Sequence, residues 1–162
     1  MQILVTGSQG FIGQNLVTAL LQSQSYTVDS FNRNDLISSL ESKIIKADAI
    51  IHLAGENRPS DDGEFERSNH QLTRKICQVI ERVNKNIPII FSSSIQATED
   101  NLYGKSKLAA ENVLYELSKK VGNSLTIYRL PGVFGKWSKP NYNSVVATFC
   151  FNILRLLTIR LI

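Results

Sequence analysis

Residues 2–13 read QILVTGSQGFIG, and this stretch decides the fold. A short apolar run meets closely spaced glycines, and a helical pattern begins directly after them. Glycines permit a tight turn and let the main chain approach a pyrophosphate, which the free N–H groups and positive dipole of a helix N-terminus attract. We predict a strand, a phosphate-binding turn and a helix, with a plain glycine turn as the alternative. The candidate cofactor-binding residues here are Gly7, Gly10, Phe11, Ile12 and Gly13.

Outward from this turn, apolar segments of strand length alternate with segments of helical period. Strands are predicted at residues 2–5, 26–31, 49–53, 87–92 and 124–130. Helices are predicted at 11–22, 65–84 and 103–121, and a weak helix or loop at 34–46. Strands that alternate with helices form βαβ units with right-handed crossovers. The predicted fold class is α/β: a Rossmann-like doubly wound parallel sheet, incomplete at the C-terminus.

The composition indicates one globular domain of 162 residues, 43% hydrophobic and 20% charged, with a net charge of +4. That excludes a disordered tail, a collagen-like fibre and a coiled coil. The basic residues are scattered, so we expect no nucleic-acid partner, and no apolar run reaches the roughly 18 residues of a membrane span. The start lacks a secretory signal, so Cys77 and Cys150 are expected to be reduced thiols in the cytoplasm. With no CxxC motif and 2 histidines, no metal site is expected.

Arg33 lies about 20 positions after the last glycine of the turn, at the end of the second predicted strand. In dinucleotide-binding folds an acidic residue in that region binds the ribose hydroxyls, whereas an arginine accommodates a 2′-phosphate. We therefore expect NADP(H) as the cofactor, with NAD(H) less favoured. Asp29, inside the strand, and Asp35, just beyond Arg33, keep NAD(H) open, and Arg33 as a plain solvated loop residue is the remaining alternative.

Tyr103 and Lys107 are four residues apart at the start of a predicted helix, so they share a face. A phenol with a pKa near 10 transfers protons poorly at neutral pH, and a neighbouring ammonium stabilises its phenolate. Serines at 92–94, at the end of a predicted strand, offer a hydroxyl to a substrate oxygen. A second pair of the same spacing, Tyr115 and Lys119, lies about 18 Å further along the helix. We expect that pair to pack or to be solvated.

Six segments of the chain occur in an order typical of one enzyme family. They are LVTGSQGFIG at 4–13, HLAG at 52–55, Asn69, SSS at 92–94, YGKSK at 103–107 and RLPGVFG at 129–135. In these segments the chain resembles the extended short-chain dehydrogenase/reductases, also called the NAD-dependent epimerase/dehydratase family. The resemblance implies a Rossmann fold, a nicotinamide cofactor and a nucleotide-sugar substrate.

The resemblance also implies roles for individual residues. Tyr103 and Lys107 fall on the catalytic tyrosine and lysine of the family and also contact the cofactor. The catalytic hydroxyl falls on Ser94, with Ser93 as the alternative. Three residues after the third strand line the adenine–ribose side of the cofactor cleft: Leu53, Ala54 and Gly55. Three further residues begin the substrate region: Asn141, Tyr142 and Asn143.

A narrower resemblance rests on HLAGENRP at 52–59, SSSIQAT at 92–98 and FGKWSKPNYNSVVATFC at 134–150. These segments are similar to reductases of capsular polysaccharide synthesis. The resemblance implies reduction, by NADPH, of the C4 ketone of a UDP-2-acetamido-2,6-dideoxy-hexos-4-ulose, on the way to UDP-N-acetyl-6-deoxytalose. It also implies a separate cupin domain and a possible homodimer in the full-length protein.

The C-terminal residues depart from that pattern. From Thr148 the chain reads TFCFNILRLLTIRLI, which is strongly apolar. We expect the resemblance to end after Asn152, and a frameshift in the coding sequence would explain such an end. We expect residues 1–162 to be the N-terminal part of a reductase domain, without the remaining substrate lobe and cupin domain, and we keep an inactive fragment open as an alternative. A core helix is the alternative for the last segment. The functional alternatives are an NAD-dependent nucleotide-sugar 4-epimerase or dehydratase and a non-catalytic dinucleotide-binding remnant.

Overall fold

The computed structural model describes residues 1–159 and contains one five-stranded parallel sheet. The strands are β1 (Gln2–Thr6), β2 (Thr27–Phe31), β3 (Ala49–His52), β4 (Ile89–Ser94) and β5 (Leu125–Leu130). The helices are α1 (Phe11–Gln22), α2 (Ser39–Lys46), α3 (Gly63–Phe65), α4 (Leu72–Val83), α5 (Leu102–Val121) and α6 (Val145–Leu154). All five predicted strands and the three predicted helices are confirmed, with ends that differ by a few residues.

The strand order is β2-β1-β3-β4-β5, so β1 lies between β2 and β3. Along the chain, the sheet extends from β1 to β2 on one side and then from β3 to β5 on the other side. Ligands of open parallel sheets bind where the order reverses, outside the carboxyl ends of the strands. Here that point lies between β1, which ends at Thr6, and β3, which ends at His52, and these two residues are paired in the sheet.

Helices cover both faces of the sheet, as a doubly wound fold requires. One face of β1 and β3 packs against α1 in a small cluster built on Ile3, Val5 and Ile51. The other face packs against α2, α4 and α5 in a larger cluster that includes the fully buried Ile50 and Phe91. The prediction of an α/β doubly wound parallel sheet is confirmed.

The helix predicted over 65–84 is interrupted in its first half. A π-helical segment, Glu66–Gln71, joins α3 to α4. A π segment leaves a backbone carbonyl without its usual i+4 partner, and such segments are frequent at functional sites. Here the carbonyl of Asn69 accepts a hydrogen bond from the Thr73 hydroxyl, at 2.6 Å. The apolar period of the sequence does not reveal this interruption.

Helix α5 begins and ends at residues that fix its position. Asn101 caps it by accepting a hydrogen bond from the Gly104 N–H, at 2.7 Å, and Gly122 ends it in the left-handed conformation at φ 80°. A short 3-10 helix, Ile95–Thr98, connects β4 to this start. A Cβ at residue 104 would lie 2.1 Å from the carbonyl oxygen of Gln96, so only glycine allows the two backbones this approach.

Helix α6 is apolar but lies at the surface. In the described part of the chain no α6 residue is buried, and Val145 and Leu154 are 67% and 81% exposed. The alternative of a core helix for this segment is therefore wrong. The last residues of the sequence, 160–162, lie outside the described residues. Within 1–159, no helix combines the length and apolar character needed to cross a bilayer.

Candidate active site

The glycine turn after β1 is shaped by two close backbone approaches. Gly7 has φ 71°, and a Cβ there would lie 2.7 Å from the Ala54 nitrogen, so the turn packs directly on the loop after β3. A Cβ at Gly13 would lie 2.2 Å from the Gly7 carbonyl oxygen, so α1 packs directly on the turn. These two glycines are therefore required by packing.

Gly10 has a different environment. It is the N-cap of α1, makes no side-chain cap, and no acidic residue stands in the first helical turn. The N–H groups of the first turn have no partner within the helix, and an anion satisfies them. A Cβ at Gly10 would meet only the Gly7 carbonyl oxygen, at 3.3 Å, so the space beside it is open. Phe11 and Ile12 begin the helix at this point, and the turn fits a dinucleotide pyrophosphate.

A cleft runs along the carboxyl edge of the sheet in two halves, which share Leu53 and Gly55. The half beside the glycine turn is called the nucleotide half after its expected ligand and has a volume of about 490 Å³. The half beside Tyr103 is called the catalytic half after its expected role and has a volume of about 460 Å³. Both volumes are usual for small-molecule sites. Residues of the nucleotide half include Gly7, Gly10, Asn32, Arg33, Asp35, Ala54 and Lys75. Residues of the catalytic half include Ile12, Glu56, Asn69, Ser94, Tyr103, Lys107 and Asn143.

Arg33 lines the nucleotide half and makes an ion pair with Glu56, at 2.9 Å. The turn after β1 is tied to the same region, because the Ser8 hydroxyl donates to Asn32 Oδ1 at 3.1 Å. Burial raises the pKa of the Glu56 carboxyl, but hydrogen bonds from Arg33 and from neighbouring backbone N–H groups outweigh it, and the pKa lies below its ordinary value. Glu56 was not among the predicted site residues.

The two aspartates considered for ribose binding have other partners. Asp29 lies within β2 and its carboxylate accepts a hydrogen bond from Lys43 Nζ, at 2.7 Å. Asp35 accepts from the backbone N–H of Asn32, at 2.9 Å, and so closes the turn after β2. Asp35 also lines the nucleotide half of the cleft, whereas Asp29 does not.

Tyr103 and Lys107 lie one turn apart at the start of α5 and both line the catalytic half. Lys107 is 4% exposed, and its Nζ donates a hydrogen bond to the Ser92 carbonyl oxygen, at 2.7 Å. Burial lowers the pKa of Lys107 to about 8, although the charge of Glu111 opposes this. Lys107 therefore holds an ammonium at neutral pH that is unusually ready to lose its proton.

The pKa of Tyr103 does not follow the sequence-based expectation. Burial raises it above its ordinary value, and a hydrogen bond with Ser94 opposes the increase without cancelling it. The expectation that the Lys107 ammonium lowers the Tyr103 pKa is thus not met in this structure, where the ammonium is directed at the Ser92 carbonyl oxygen. At neutral pH the Tyr103 phenol keeps its proton.

The two serines at the end of β4, Ser93 and Ser94, have different surroundings because successive side chains of a strand point to opposite faces of the sheet. Ser93 is buried and its hydroxyl donates to the Glu111 carboxylate on α5. That carboxylate is 1% exposed and also accepts two hydrogen bonds from the Arg129 guanidinium, at 3.0 and 2.7 Å. Ser94 instead caps the 3-10 helix by accepting from the Gln96 N–H, at 3.2 Å, and lies close enough to Tyr103 to lower the pKa of the phenol against the effect of burial. The structure therefore places Ser94 with the phenol and Ser93 in a buried ion-pair network.

Asn69 joins the loop after β3 to helix α5. It is 1% exposed; its side-chain oxygen accepts from the Glu56 N–H, at 2.8 Å, and its amide donates to the Glu56 carbonyl oxygen, at 2.9 Å. The same amide donates to the Ser106 hydroxyl oxygen on α5, at 2.9 Å. A Cβ on Gly55 would lie 2.6 Å from Asn69 Oδ1 and 3.6 Å from Lys107 Nζ. Asn69 thus holds the loop after β3 against the start of α5.

His52 is fully buried and forms a hydrogen-bonded relay below the cleft. Its Nδ1 lies 2.6 Å from the Thr6 hydroxyl oxygen and its Nε2 lies 2.8 Å from that of Thr73. The Thr73 hydroxyl donates to the Asn69 carbonyl oxygen, so it accepts from Nε2–H. Nδ1 therefore accepts from Thr6, which in turn accepts from the Ala54 N–H, at 3.2 Å. Burial, and then the charge of Lys107, lower the pKa of His52 to about 3.

The three predicted substrate residues occupy different positions relative to the cleft. Asn143 lines the catalytic half. The Tyr142 hydroxyl lies 2.9 Å from Asn57 Oδ1 and 3.2 Å from Glu56 Oε1, so it contacts the loop that borders the cleft. Asn141 adopts φ 55°, and its N–H donates to the Thr148 hydroxyl oxygen.

The second Tyr-x-x-x-Lys pair is in a different place. Tyr115 is 49% exposed, and Lys119 makes an ion pair with Glu116 on the same helix. Lys119 lines an open groove between α4 and α5 rather than the cleft. The pair is solvated, as expected from its distance along α5.

Comparison with known proteins is consistent with this geometry. Residues 3–161 match the model of the NAD dependent epimerase/dehydratase family. The chain is 46% identical, over 99% of its length, to the UDP-2-acetamido-2,6-beta-L-arabino-hexul-4-ose reductase of Pseudomonas aeruginosa, of which it covers 43%. The crystal structure of the capsular polysaccharide assembling protein CapF from Staphylococcus aureus matches with a TM-score of 0.86 and 45% identity, over 100% of this chain and 44% of that one.

The chain thus spans less than half of the length of these two relatives. The family match continues past Asn152, so the loss of resemblance expected there is not observed. The UDP-glucuronic acid 4-epimerase of Bacillus cereus, in complex with NAD, shares the fold with a TM-score of 0.82 at 20% identity, over 97% of this chain and 65% of that one. The resemblance stated from the motifs is confirmed, and the chain belongs to the NAD-dependent epimerase/dehydratase family.

Proposed function

We propose that this chain carries the cofactor site and proton donor of an NADPH-dependent reductase. The proposed substrate is a UDP-2-acetamido-2,6-dideoxy-hexos-4-ulose, whose C4 ketone becomes a hydroxyl in the synthesis of a capsular polysaccharide precursor. The observation that carries the proposal is one cleft that joins the glycine turn to Ser94, Tyr103 and Lys107. The 46% identity to a UDP-sugar 4-ulose reductase supports the substrate class.

The roles of the residues follow from their positions. Ser94 donates a hydrogen bond to the C4 oxygen and so orients the ketone toward the Tyr103 phenol. Tyr103 transfers its proton to that oxygen as the carbonyl is reduced, and a reduced nicotinamide held in the cleft would supply the hydride to the carbon. Lys107, whose ammonium donates to the Ser92 carbonyl oxygen in this structure, is proposed to stabilise the phenolate that remains once cofactor and substrate are bound. Asn143 and Tyr142 lie at the sugar side of the cleft.

The protonation state of Tyr103 fits the proposed role. Burial keeps its pKa above the ordinary value, so the phenol is protonated at neutral pH and able to act as the acid that a reductase needs. The 46% identity to a UDP-sugar 4-ulose reductase favours reduction over the NAD-dependent epimerase or dehydratase alternative.

The cofactor is proposed to be NADP(H), because Arg33 lines the nucleotide half where a 2′-phosphate is read in this fold. We further propose that the chain is the dinucleotide-binding part of a reductase domain, that a UDP-linked amino sugar is its partner, and that the complete protein forms a homodimer in the cytoplasm. The free thiols of Cys77 and Cys150 support a reducing compartment.

The experiment is oxidation of NADPH by the purified protein with the UDP-linked 4-ketosugar, comparing Tyr103→Phe with Tyr115→Phe. Tyr103→Phe should abolish reduction while NADPH still binds, and Tyr115→Phe should leave both unchanged because that ring lies on the solvated side of α5. Full turnover by Tyr103→Phe would overturn the proposed role. Tight binding of NAD(H) with no affinity for NADP(H) would favour the epimerase alternative, and cofactor binding without any turnover would favour a non-catalytic module.

A further inference from the structure

The ion pair between Arg33 and Glu56 joins the two halves of the cleft, because Arg33 lines the nucleotide half and Glu56 lines the catalytic half. Arg33 follows β2 and Glu56 follows β3, on either side of the end of β1. The Nη2 of Arg33 lies 2.9 Å from Glu56 Oε2, and the two side chains are 69% and 18% exposed. The carboxylate is thus the better-shielded member of the pair, and the guanidinium is the accessible one.

Glu56 is held in place by the surrounding backbone and side chains. Its Oε1 accepts from the N–H groups of Asn57, at 3.1 Å, and Arg58, at 3.3 Å, and lies 3.2 Å from the Tyr142 hydroxyl. Its main chain makes the two hydrogen bonds with the buried Asn69 described above. The carboxylate is therefore a fixed negative charge at the edge of the cleft, rather than a mobile surface group.

A fixed carboxylate next to Arg33 bears on cofactor choice. The adenosine 2′-phosphate of NADP(H) needs a guanidinium, and here Arg33 already neutralises a carboxylate. We propose that Glu56 is a specificity-determining residue, which competes with the 2′-phosphate for Arg33 and so narrows the preference of the chain for NADP(H) over NAD(H). The inference rests on the proposed function, because it requires the cleft to bind an adenine dinucleotide.

The other charges of the nucleotide half do not remove this competition. Arg67 is bound by Asp61 and Glu64. Lys75 lines the half from α4 and attracts any phosphate there, so its effect is common to the wild type and to a variant at Glu56. Asp35 places a carboxylate in the lining of the nucleotide half, where it opposes a 2′-phosphate in the same direction as Glu56.

The size of the effect follows from the exposure of the pair. Ion pairs at partly exposed sites contribute little, so release of Arg33 should change affinity for a 2′-phosphate by about two- to fivefold. The effect should be larger at low salt, because exposed charges are screened within a Debye length of about 10 Å at 0.1 M ionic strength.

The test measures the 2′-phosphate subsite directly, by calorimetric titration of the purified protein with 2′,5′-ADP and with 5′-AMP. Glu56→Gln keeps the shape of the side chain and removes its charge. It should tighten binding of 2′,5′-ADP about two- to fivefold and leave 5′-AMP unchanged. The matched control is Glu41→Gln, which breaks the exposed Arg82–Glu41 pair away from the cleft and should change neither affinity. Equal tightening of both nucleotides, or no tightening of 2′,5′-ADP, would overturn the inference.

Arg33→Gln provides a second arm that does not depend on the folding of a Glu56 variant. It should lower the affinity for 2′,5′-ADP toward that for 5′-AMP, and an unchanged affinity for 2′,5′-ADP would show that Arg33 binds no phosphate, which also overturns the inference. If the wild type binds neither nucleotide, the proposed function fails, and this inference fails with it. If the wild type binds both nucleotides but the variants do not differ from it, only the inference fails.

Discussion

The Ser93 hydroxyl donates a hydrogen bond to the carboxylate of Glu111, and this contact distinguishes Ser93 from its neighbour Ser94. Glu111 is almost fully buried, and burial raises the pKa of its carboxyl, but hydrogen bonds from Arg129 and Ser93 outweigh that and hold the pKa below its ordinary value. A buried carboxylate that loses a donor is destabilised. Ser93 is therefore committed to the stability of the fold, whereas Ser94, which caps the 3-10 helix and lies near Tyr103, is the proposed catalytic hydroxyl.

Alanine substitutions at the two serines should consequently have opposite effects. Ser93→Ala should lower the free energy of unfolding by about 1–3 kcal/mol, because a buried acceptor loses its donor. The kcat of the folded Ser93→Ala variant should equal that of the wild type, because the site itself is unchanged. Ser94→Ala should leave stability within about 1 kcal/mol but lower kcat by about a hundredfold, because the reacting oxygen loses a hydrogen-bond donor. Denaturant unfolding and steady-state kinetics on both variants check this. The reverse pattern would make Ser93 the catalytic hydroxyl.

Two glycines of the first turn, Gly10 and Gly13, should also differ in the effect of replacement by alanine. Gly13→Ala should destabilise the fold by about 1–3 kcal/mol, because its Cβ meets the Gly7 carbonyl oxygen at 2.2 Å. Gly10→Ala should fold normally but weaken NADPH binding about tenfold or more, a loss of about 1.4 kcal/mol, because its methyl group enters the open space beside the helix N-terminus. Thermal melting and cofactor titration separate the two effects. Unchanged NADPH affinity in Gly10→Ala would contradict the pyrophosphate site.

Lys107 should limit the stability of the protein in a pH-dependent way. Its pKa falls from 10.5 to about 8 on folding, because burial disfavours the ammonium. The buried ammonium therefore lowers the free energy of unfolding by its full amount below about pH 8, and this cost disappears as the pH approaches 10.5. Lys107→Met removes it, so the stability of the variant relative to the wild type should fall between those pH values by about 1.4 kcal/mol per unit. Denaturant unfolding at several pH values measures this, with the exposed Lys105→Met as control. A pH-independent difference between Lys107→Met and the wild type would show that the buried ammonium carries no such cost.

His52 should make the protein sensitive to acid. Its pKa falls from 6.5 to about 3 on folding, so the unfolded chain takes up a proton over this interval and the folded chain does not. Stability is therefore lost as the pH falls from 6.5, by about 1.4 kcal/mol per unit from this group. His52→Gln should be less stable at neutral pH, since the relay is broken, but should show a shallower acid dependence. His70→Gln is the control for removal of a histidine, and an equal change in slope there would contradict the assignment.

The predicted parts of the fold were those that depend on short-range patterns. The run QILVT meets Gly7, and the stripe of apolar residues in α4 repeats with a helical period, so the strands and helices follow from the sequence. The positions of Tyr103 and Lys107 in one cleft with the glycine turn follow in turn from the parallel order of the strands. In these cases the local preference and the tertiary packing agree.

The features that could not be predicted arise from contacts between distant segments. The π-helical segment coincides with Asn69, whose side chain bonds to the main chain of Glu56 thirteen residues earlier, and no period records that contact. The Arg33–Glu56 pair joins the ends of two strands that are not adjacent in the sheet. The raised pKa of Tyr103 depends on burial, which spacing alone does not give. These three features all affect the chemistry of the site more than the fold.

The absence of a side chain at residue 104 has a consequence for how such a site can diverge. The backbone of α5 rests on the backbone of the 3-10 helix, and a Cβ at residue 104 would lie 2.1 Å from the Gln96 carbonyl oxygen, so no larger residue permits this approach. The position of Tyr103 relative to β4 is thus set by main chain against main chain. The exposed side chains of Ile95 and Gln96, which line the same part of the cleft, can therefore differ between relatives without a change in the position of Tyr103.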